Sequence, residues 1–426
     1  MRRRPAVAFV LVTLFLDVLG VGLVIPILPR LIEQLCGGDL PAASHVFGWL
    51  AALYSLMQFG FAPLLGSLSD RFGRRPVLLL SLLGSGLDYL LLAWAPTLGW
   101  FFLGRAVSGV TGASITTASA YIADVTPPER RASTFGLLGA TFGLGFIAGP
   151  AVGGLLGDLG LRLPFLVAAG LTLLNWLYGL WVLPESLERK HRRAFSWKRS
   201  NPVGALLALR RYPVVLGLAA VFFLLHLAQS CLHSTWVLYT GYRYGWTVGE
   251  TGLSLAVVGA SAMIVQGGLV RVIVPRIGEA RGIRWGLTIS MLAMAGYGLA
   301  TEGWMIYAIL VVGALGGIAG PSAQGLISRR VAPNEQGGVQ GALSSLASVA
   351  GIVGPPVAAG LFGYFVRPDA VVHLPGAPFF LASGLIAVAR WVAGRVLRGE
   401  TAGRGEPSAA SAVTGRSDDP ETPKAV

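Results

Sequence analysis

At 426 residues the chain could bury a large core, yet 54% of it is hydrophobic and only 12% is charged. That is half the roughly 25% charge of a soluble domain, which excludes a water-solvated enzyme and makes lipid the solvent. The net charge of +13 does not point to nucleic acid, because the basic residues sit in short loops and not on one soluble domain.

A membrane helix needs roughly 20 mostly apolar residues. Twelve such runs follow one another, at 6–28, 45–65, 77–95, 99–123, 133–157, 163–183, 213–240, 250–274, 283–301, 304–328, 338–364 and 376–397. The opening MRRRPAVAFVLVTLFL imitates a signal peptide but has no small-residue cleavage site, so it is read as an uncleaved first helix. The expected architecture is an all-α integral membrane protein of twelve spans. Residues 1–183 form one six-helix bundle and 213–397 the other, joined by the linker 184–212. A tail over 398–426, rich in Gly, Ser, Pro and Asp without apolar periodicity, is expected to be disordered. All Lys and Arg residues except Arg30, Arg162, Arg243, Arg367 and the intrahelical Arg105 and Arg390 fall on one side of this arrangement. The positive-inside rule therefore places both termini and the linker in the cytoplasm. Cys36 falls in an outer loop and Cys231 in mid-helix, so no disulfide is expected.

The halves also repeat. Pro128-Glu129-Arg130 precedes a helix with Gly149-Pro150, and Asn334-Glu335-Gln336 precedes one with Gly354-Pro355. Parallel repeats about an axis along the membrane normal place a binding site near the midplane between them.

In chain order, Asp17 comes first among the polar groups inside spans. An acid there costs about 2.5–3.5 kcal/mol, so it is expected to face a polar interior and to bind proton or substrate. Pro26 and Pro29 follow Leu19-Gly20 and allow two readings, a kink or the exit from the membrane. Gln58, a polar group of the second span, is expected to line a substrate cavity. The loop GSLSDRFGRRPVL from Gly66 to Leu78 turns at the membrane surface between two spans. Its Asp70 can cap a helix of the other half, and Arg74 can pair with Asp124. Asp88 sits in a Gly/Ser-lined third span, and Arg105, which cannot discharge by losing a proton, needs a partner or water. Gly145, Gly149, Pro150, Gly153 and Gly154 form a run of small residues for tight helix packing. In the second half, His226, Gln229, Ser230 and His233 recur at i, i+3, i+4 and i+7, a polar stripe that favours a lined cavity together with Gln266 and Gln324. No phosphate-binding loop and no convergent nucleophile, base or metal set occurs, so neither an ATP-driven pump nor an enzyme is expected.

The loop spacing G-x-L-x-D-R-x-G-R-R, carried by Gly66, Asp70, Arg71, Gly73, Arg74 and Arg75, resembles the loop after the second helix of the major facilitator superfamily. The glycine-proline run resembles that superfamily's antiporter signature, which goes with export. The stretch LYSLMQFGFAPLLGSLSDRFGRRPVLLLSLLGSGLDYLLLA, with Asp17, Arg105 and YIADVTPPER, is similar to the tetracycline/proton antiporters of bacterial inner membranes, and the likeness covers nearly the whole chain. The resemblance implies proton-coupled drug efflux by alternating access, with Asp17, Asp70, Asp88 and Arg105 in coupling and transport. Gln266 matches a family glutamine, the gradient takes the place of a cofactor, and substrate travels as a divalent-cation chelate. The sequence departs from the family at Ala262, where a histidine is usual, at Ser290, where an acid is usual, and at Ser108, where the arginine motif prefers Gln. Multidrug efflux with little tetracycline transport, or proton-coupled import of a metabolite, are the alternative readings. Lipid, protons and a small-molecule drug are the expected partners, and the oligomeric state is left open.

Overall fold

A computed structural model describes residues 7–403 apart from 113, 128–129, 188, 193–203, 205, 208, 210–212 and 332–335. The first half comprises α1 (Val7–Val24), α2 (Leu28–Leu35), α3 (Leu40–Phe72), α4 (Arg74–Trp94), α5 (Leu98–Thr111), α6 (Ser114–Val125), α7 (Arg131–Leu159) and α8 (Leu163–Val182). The second comprises α9 (Pro213–Tyr244), α10 (Val248–Ile264), α11 (Val270–Ile277), α12 (Glu279–Leu299), α13 (Gly303–Gly313), α14 (Ala319–Ser328), α15 (Gln336–Phe365) and α16 (Ala377–Gly403). Among the described residues there is no strand.

Ten helical stretches are long and apolar enough to cross a membrane on those grounds alone. The other two spans complete the twelve-helix fold. One is α5 with α6, expected as a single helix over 99–123 but interrupted after Thr111. A methyl on Gly112 would lie 2.9 Å from Gln58 Nε2 and 3.0 Å from Ser108 O, so the chain there is pressed against α3. The other is α12, whose first turns carry Glu279, Arg281 and Arg284. The first span breaks between Val24 and Leu28 and resumes as α2. Proline cannot donate to the helical ladder, so Pro26 marks a kink within a longer span. Two interruptions escaped the sequence, a π-helical turn at Val265–Leu269 and a 3₁₀ turn at Ala314–Ile318, both at glycine pairs. The expected disorder from Arg398 needs correcting: α16 runs to Gly403, with no proline to stop it and Arg395 stacked 4.0 Å from the Trp391 ring centroid. The rest of the tail, and the Pro128-Glu129 and Asn334-Glu335 loops of the repeat, lie outside the described residues.

Within the first half, α1 packs on α7 and α8, and α4 on α8 and α5; within the second, α9 packs on α15 and α16, and α12 on α16. The second half is centred on edge-to-face contacts among Trp236, Tyr239, Tyr297 and Phe379. Large apolar side chains such as Trp94, Trp181, Trp285 and Trp304 are exposed near helix ends, the placement of an aromatic belt in lipid.

The halves meet through α3 on α15 and α7 on α10. These contacts are tight at the end that carries Arg30 and Trp246, here called the far face. A methyl on Gly48 would lie 2.9 Å from Pro355 O, and one on Gly154 would lie 2.8 Å from Val248 O. Toward the opposite end, the basic face that carries the Gly73 loop, methyls on Gly60 and Gly66 of α3, Gly136 and Gly139 of α7, or Gly338 and Gly341 of α15 would meet nothing within 4 Å. The halves are therefore closed on the far face and splayed on the basic face.

Candidate functional site: a central cavity between the halves

A cavity of about 460 Å³ lies between the halves. Asp17, Tyr54, Ser55, Asp88, Arg105 and Ser108 line it from the first half, and Ser230, His233, Ser234, Trp236 and Pro355 from the second. Three helices, α1, α4 and α5, thus bring together three of the groups expected to carry coupling. Asp88 is 3% exposed and accepts a short hydrogen bond from Ser108 Oγ. Its Oδ2 lies 3.9 Å from Arg105 Nη2. The helical spacing of Gly104, Arg105 and Ser108 explains the arrangement. Ser108 is one turn on from Arg105, and a methyl on Gly104 would lie 2.8 Å from Asp88 Oδ1, so only glycine lets α5 come this close to α4. The serine that departs from the family's Gln is therefore the direct partner of the acid. Arg105 also lies 5.8 Å from the Tyr54 ring centroid, and Tyr54 Oη accepts from Gln58 Nε2 at 2.8 Å. Asp17 is 8% exposed on the wall of the same cavity. Asp88 Oδ1 has no hydrogen-bond partner, so this carboxylate retains capacity to take a proton or a polar ligand.

The polar stripe of α9 is split. Ser230 and His233 line the cavity, whereas His226 does not. His226 Nδ1 lies 2.9 Å from Phe222 O, and its ring stacks on Phe222 at 3.9 Å. Gln229, Gln266 and Gln324 are exposed outside the cavity wall, Gln266 within the π-helical turn. His226 and His233 differ by only about 20° around the helix, but seven residues set them roughly 10 Å apart along it, so the stripe outruns the cavity.

At the basic face the loop residues form a network within the first half. Arg74 Nε meets Asp124 Oδ2 at 3.1 Å, as the sequence led us to expect. Asp70 instead meets Arg74 Nη1 at 2.6 Å, with a carboxylate 41% exposed. Among the described residues it caps no helix of the other half, the halves being splayed here. Gly66 is open and Arg71 lies over the Phe72 ring at 5.2 Å. Glu185, which sequence reasoning missed, accepts from Arg74 N at 2.8 Å and Arg75 N at 3.3 Å, and so caps α4 across a separation of 111 residues. Gly73 has φ of 110°, a left-handed conformation that strongly favours glycine, and a methyl there would strike the Glu185 carboxylate. Arg75 donates to Leu180 O at 2.6 Å.

The small-residue run of α7 serves two neighbours. Methyls on Gly145, Gly149 and Gly153 would each fall within 3.0 Å of atoms of α1, while Gly154 faces α10, where the carbonyl of Pro150 also packs against Gly252. The whole pattern, and not single glycines, is thus needed for α7 to lie between α1 and α10 on the closed face.

Two helical bundles around a shared polar cavity define a multi-pass membrane transporter. The profile of the Major Facilitator Superfamily matches residues 10–355. The class C tetracycline resistance protein of Escherichia coli is 42% identical over 362 residues, covering 85% of this chain and 91% of the relative. The class D protein of Salmonella ordonez is 40% identical over 378 residues, covering 88% and 94%. Among solved structures, the human organic anion transporter TETRAN superposes with a TM-score of 0.69 at 25% identity, covering 92% of this chain and 99% of that one. A nucleoside transporter superposes with a TM-score of 0.74 at 13% identity, covering 92% and 99%, a likeness of fold alone. The chain belongs to the major facilitator superfamily and, within it, to the family of the tetracycline resistance proteins.

Proposed function

We propose that the protein exports tetracycline or a related drug across the bacterial inner membrane in exchange for protons, by alternating access. The observation that carries this reading is the joining of Asp17, Asp88 and Arg105 on one cavity that is closed at the far face and splayed at the basic face. Basic loops stay on the cytoplasmic side, so the splayed end faces the cytoplasm and the conformation is the one that loads drug for export. Proton entry across ~100 mV contributes about 2.3 kcal/mol to each exchange. Proton coupling resides in Asp17 and Asp88, with Arg105 poised to exchange partners as the acids load and release protons. The Gly73 loop, held by Arg74, Arg75, Asp124 and Glu185, gates the cytoplasmic end, and Asp70 is freed by the splaying to cap the second half when that end closes. Uptake in everted vesicles tests the reading. Tetracycline accumulation that collapses the imposed pH gradient is expected, and accumulation indifferent to the gradient would overturn the coupling.

A second reading concerns the drug. The second half brings Ser230, His233 and Ser234 to the cavity but no carboxylate, and Ser290 packs against Gly316 where the family carries an acid. A cation chelate has less to balance its charge here, which favours neutral or differently charged drugs over a magnesium–tetracycline complex. Efflux of tetracycline that is strong and strictly magnesium-dependent would refute this second reading and leave the antiport standing.

A further inference from the structure

Three buried polar atoms lie between α1 and α8, beside the cavity and not on its wall. Thr13, Thr172 and Asn175 are 4%, 1% and 1% exposed, and Thr13 Oγ1, Thr172 Oγ1 and Asn175 Oδ1 each lack a hydrogen-bond partner. Thr111, Thr134, Thr141 and Thr288 all donate to the carbonyl four residues earlier, the ordinary resort of a threonine in a helix. Thr13 and Thr172 do not, although an unmet buried hydroxyl costs about 1–3 kcal/mol.

Their placement brackets Asp17. Thr13, Asp17 and Gly20 follow at i, i+4 and i+7 and share one side of α1. Asn175 Nδ2 donates to Thr13 O at 3.1 Å, and a methyl on Gly20 would lie 3.4 Å from Thr172 Oγ1 and 3.6 Å from Tyr89 Oη. The two helices run antiparallel, so Asn175 and Thr172, one turn apart, stand just below and just above the level of Asp17. We propose that Thr13, Thr172 and Asn175 hold ordered water against α1 and, through it, set the protonation of Asp17 from outside the drug cavity. Buried polar atoms that the protein leaves unmet are the groups that ordered waters satisfy. Asn175 and Thr172 are on this account positioning residues, separate from every group that touches drug. The ionisable groups that share the cavity with Asp17 are Tyr54 of α3, Asp88 and Tyr89 of α4, Arg105 of α5 and His233 of α9; α6, which also packs on α1, carries Tyr121 and Asp124, and α7 between 136 and 157 and α8 between 163 and 177 contain none.

The inference rests on the proposed proton coupling, so its test uses no drug. The carboxyl band of Asp17, identified by its loss in Asp17→Asn, is titrated by infrared difference spectroscopy in the purified full chain. Thr172→Val and Asn175→Leu, which keep volume and remove the polar atom, are expected to move the midpoint about tenfold in proton concentration, and Thr172→Ser to restore it. A midpoint unmoved in both apolar variants overturns the proposal. Should those variants fail to fold, a wild-type crystal structure fine enough to show ordered solvent decides. Water within hydrogen-bond reach of the three atoms supports the site, and a dry pocket overturns it. A wild type that exchanges no tetracycline would defeat the substrate reading while leaving both measurements intact.

Discussion

Loss of the far-face clasp should open the cavity to the outside. Both ends of the short segment from Trp246 to Gly249, at the start of α10, are gripped from the first half. Arg30 Nη2 donates to Trp246 O at 2.8 Å, and Asp158 accepts from Gly249 N at 3.1 Å with either carboxylate oxygen. The same segment is fixed internally by a capping box between Thr247 and Glu250, so it moves as a unit. A hydrogen bond to a charged group contributes about 1.5–3 kcal/mol when shielded, and about 1 kcal/mol is reasonable for the exposed Asp158. Asp158→Ala should then shift the closed-to-open ratio about fivefold. Asp158→Ala with Arg30→Ala, which loosen one segment and need not add linearly, should shift it by about 2 kcal/mol, or about thirtyfold. Labelling of Phe47→Cys, a cavity position, by a membrane-impermeant maleimide applied to intact cells reads the ratio, with Cys36→Ser and Cys231→Ala in the background. Labelling that the double variant leaves at the parental rate would show that the face is held by packing alone.

Gly149→Val places carbon within 2.7 Å of Gly22 Cα, which is backbone and cannot yield, so thermal stability in detergent should fall by about 1–3 kcal/mol or more with export lost; unchanged melting and export would contradict the packing account. Asp88→Asn should keep the protein in the membrane and abolish pH-driven exchange, whereas full pH-driven efflux by both Asp88→Asn and Asp17→Asn would remove the first half from coupling. His233→Ala should change drug selectivity in susceptibility tests while His226→Ala, which alters only a contact with Phe222, should not; the reverse order would mean the cavity is lined differently during transport. Glu185→Ala should lose the cap of α4 at about 1 kcal/mol and slow transport, with Glu185→Gln intermediate, and an equal rate in all three would exclude the cap from gating.

The spans were legible because lipid forces long apolar helices and tolerates little else, so length and hydropathy alone place ten of the twelve. The breaks inside spans were not, since Gly112 and Gly316 look like any glycine in a helix until the neighbour that crowds them is known. Asp17, Asp88 and Arg105 stood out because charge inside an apolar run has to be explained by what surrounds it. Their common cavity did not, because the period of one helix says nothing of its rotation against another. The stripe of α9 shows the limit: four residues on one helical side diverge once Phe222 claims His226 and the cavity claims His233. Glu185 was hidden for a different reason, as its partners are the backbone amides of Arg74 and Arg75, which no side-chain pattern announces.

The asymmetry of the cavity bears on how coupling and substrate recognition divide. Every carboxylate on its wall belongs to the first half, and the second half offers hydroxyls, an imidazole and the Trp236 ring. Trp236 is itself fixed, donating from Nε1 to Ser254 Oγ at 3.0 Å and lying edge-on to Tyr297 and Phe379, so that wall is rigid. Protonation of a carboxylate therefore changes the charge of one wall only, and the free energy of that change has to be transmitted across the cavity by drug or by the Gly-rich seam of α7 with α1 and α10. The seam is the better conductor for a global change, because Gly149 and Gly153 bind α7 to α1, the helix that carries Asp17, and Gly154 binds it to the second half. A change in charge at Asp17 that shifts α1 by even a fraction of an ångström meets backbone at Gly149 and must be passed on to α10, which places the far-face clasp one helix away from the proton.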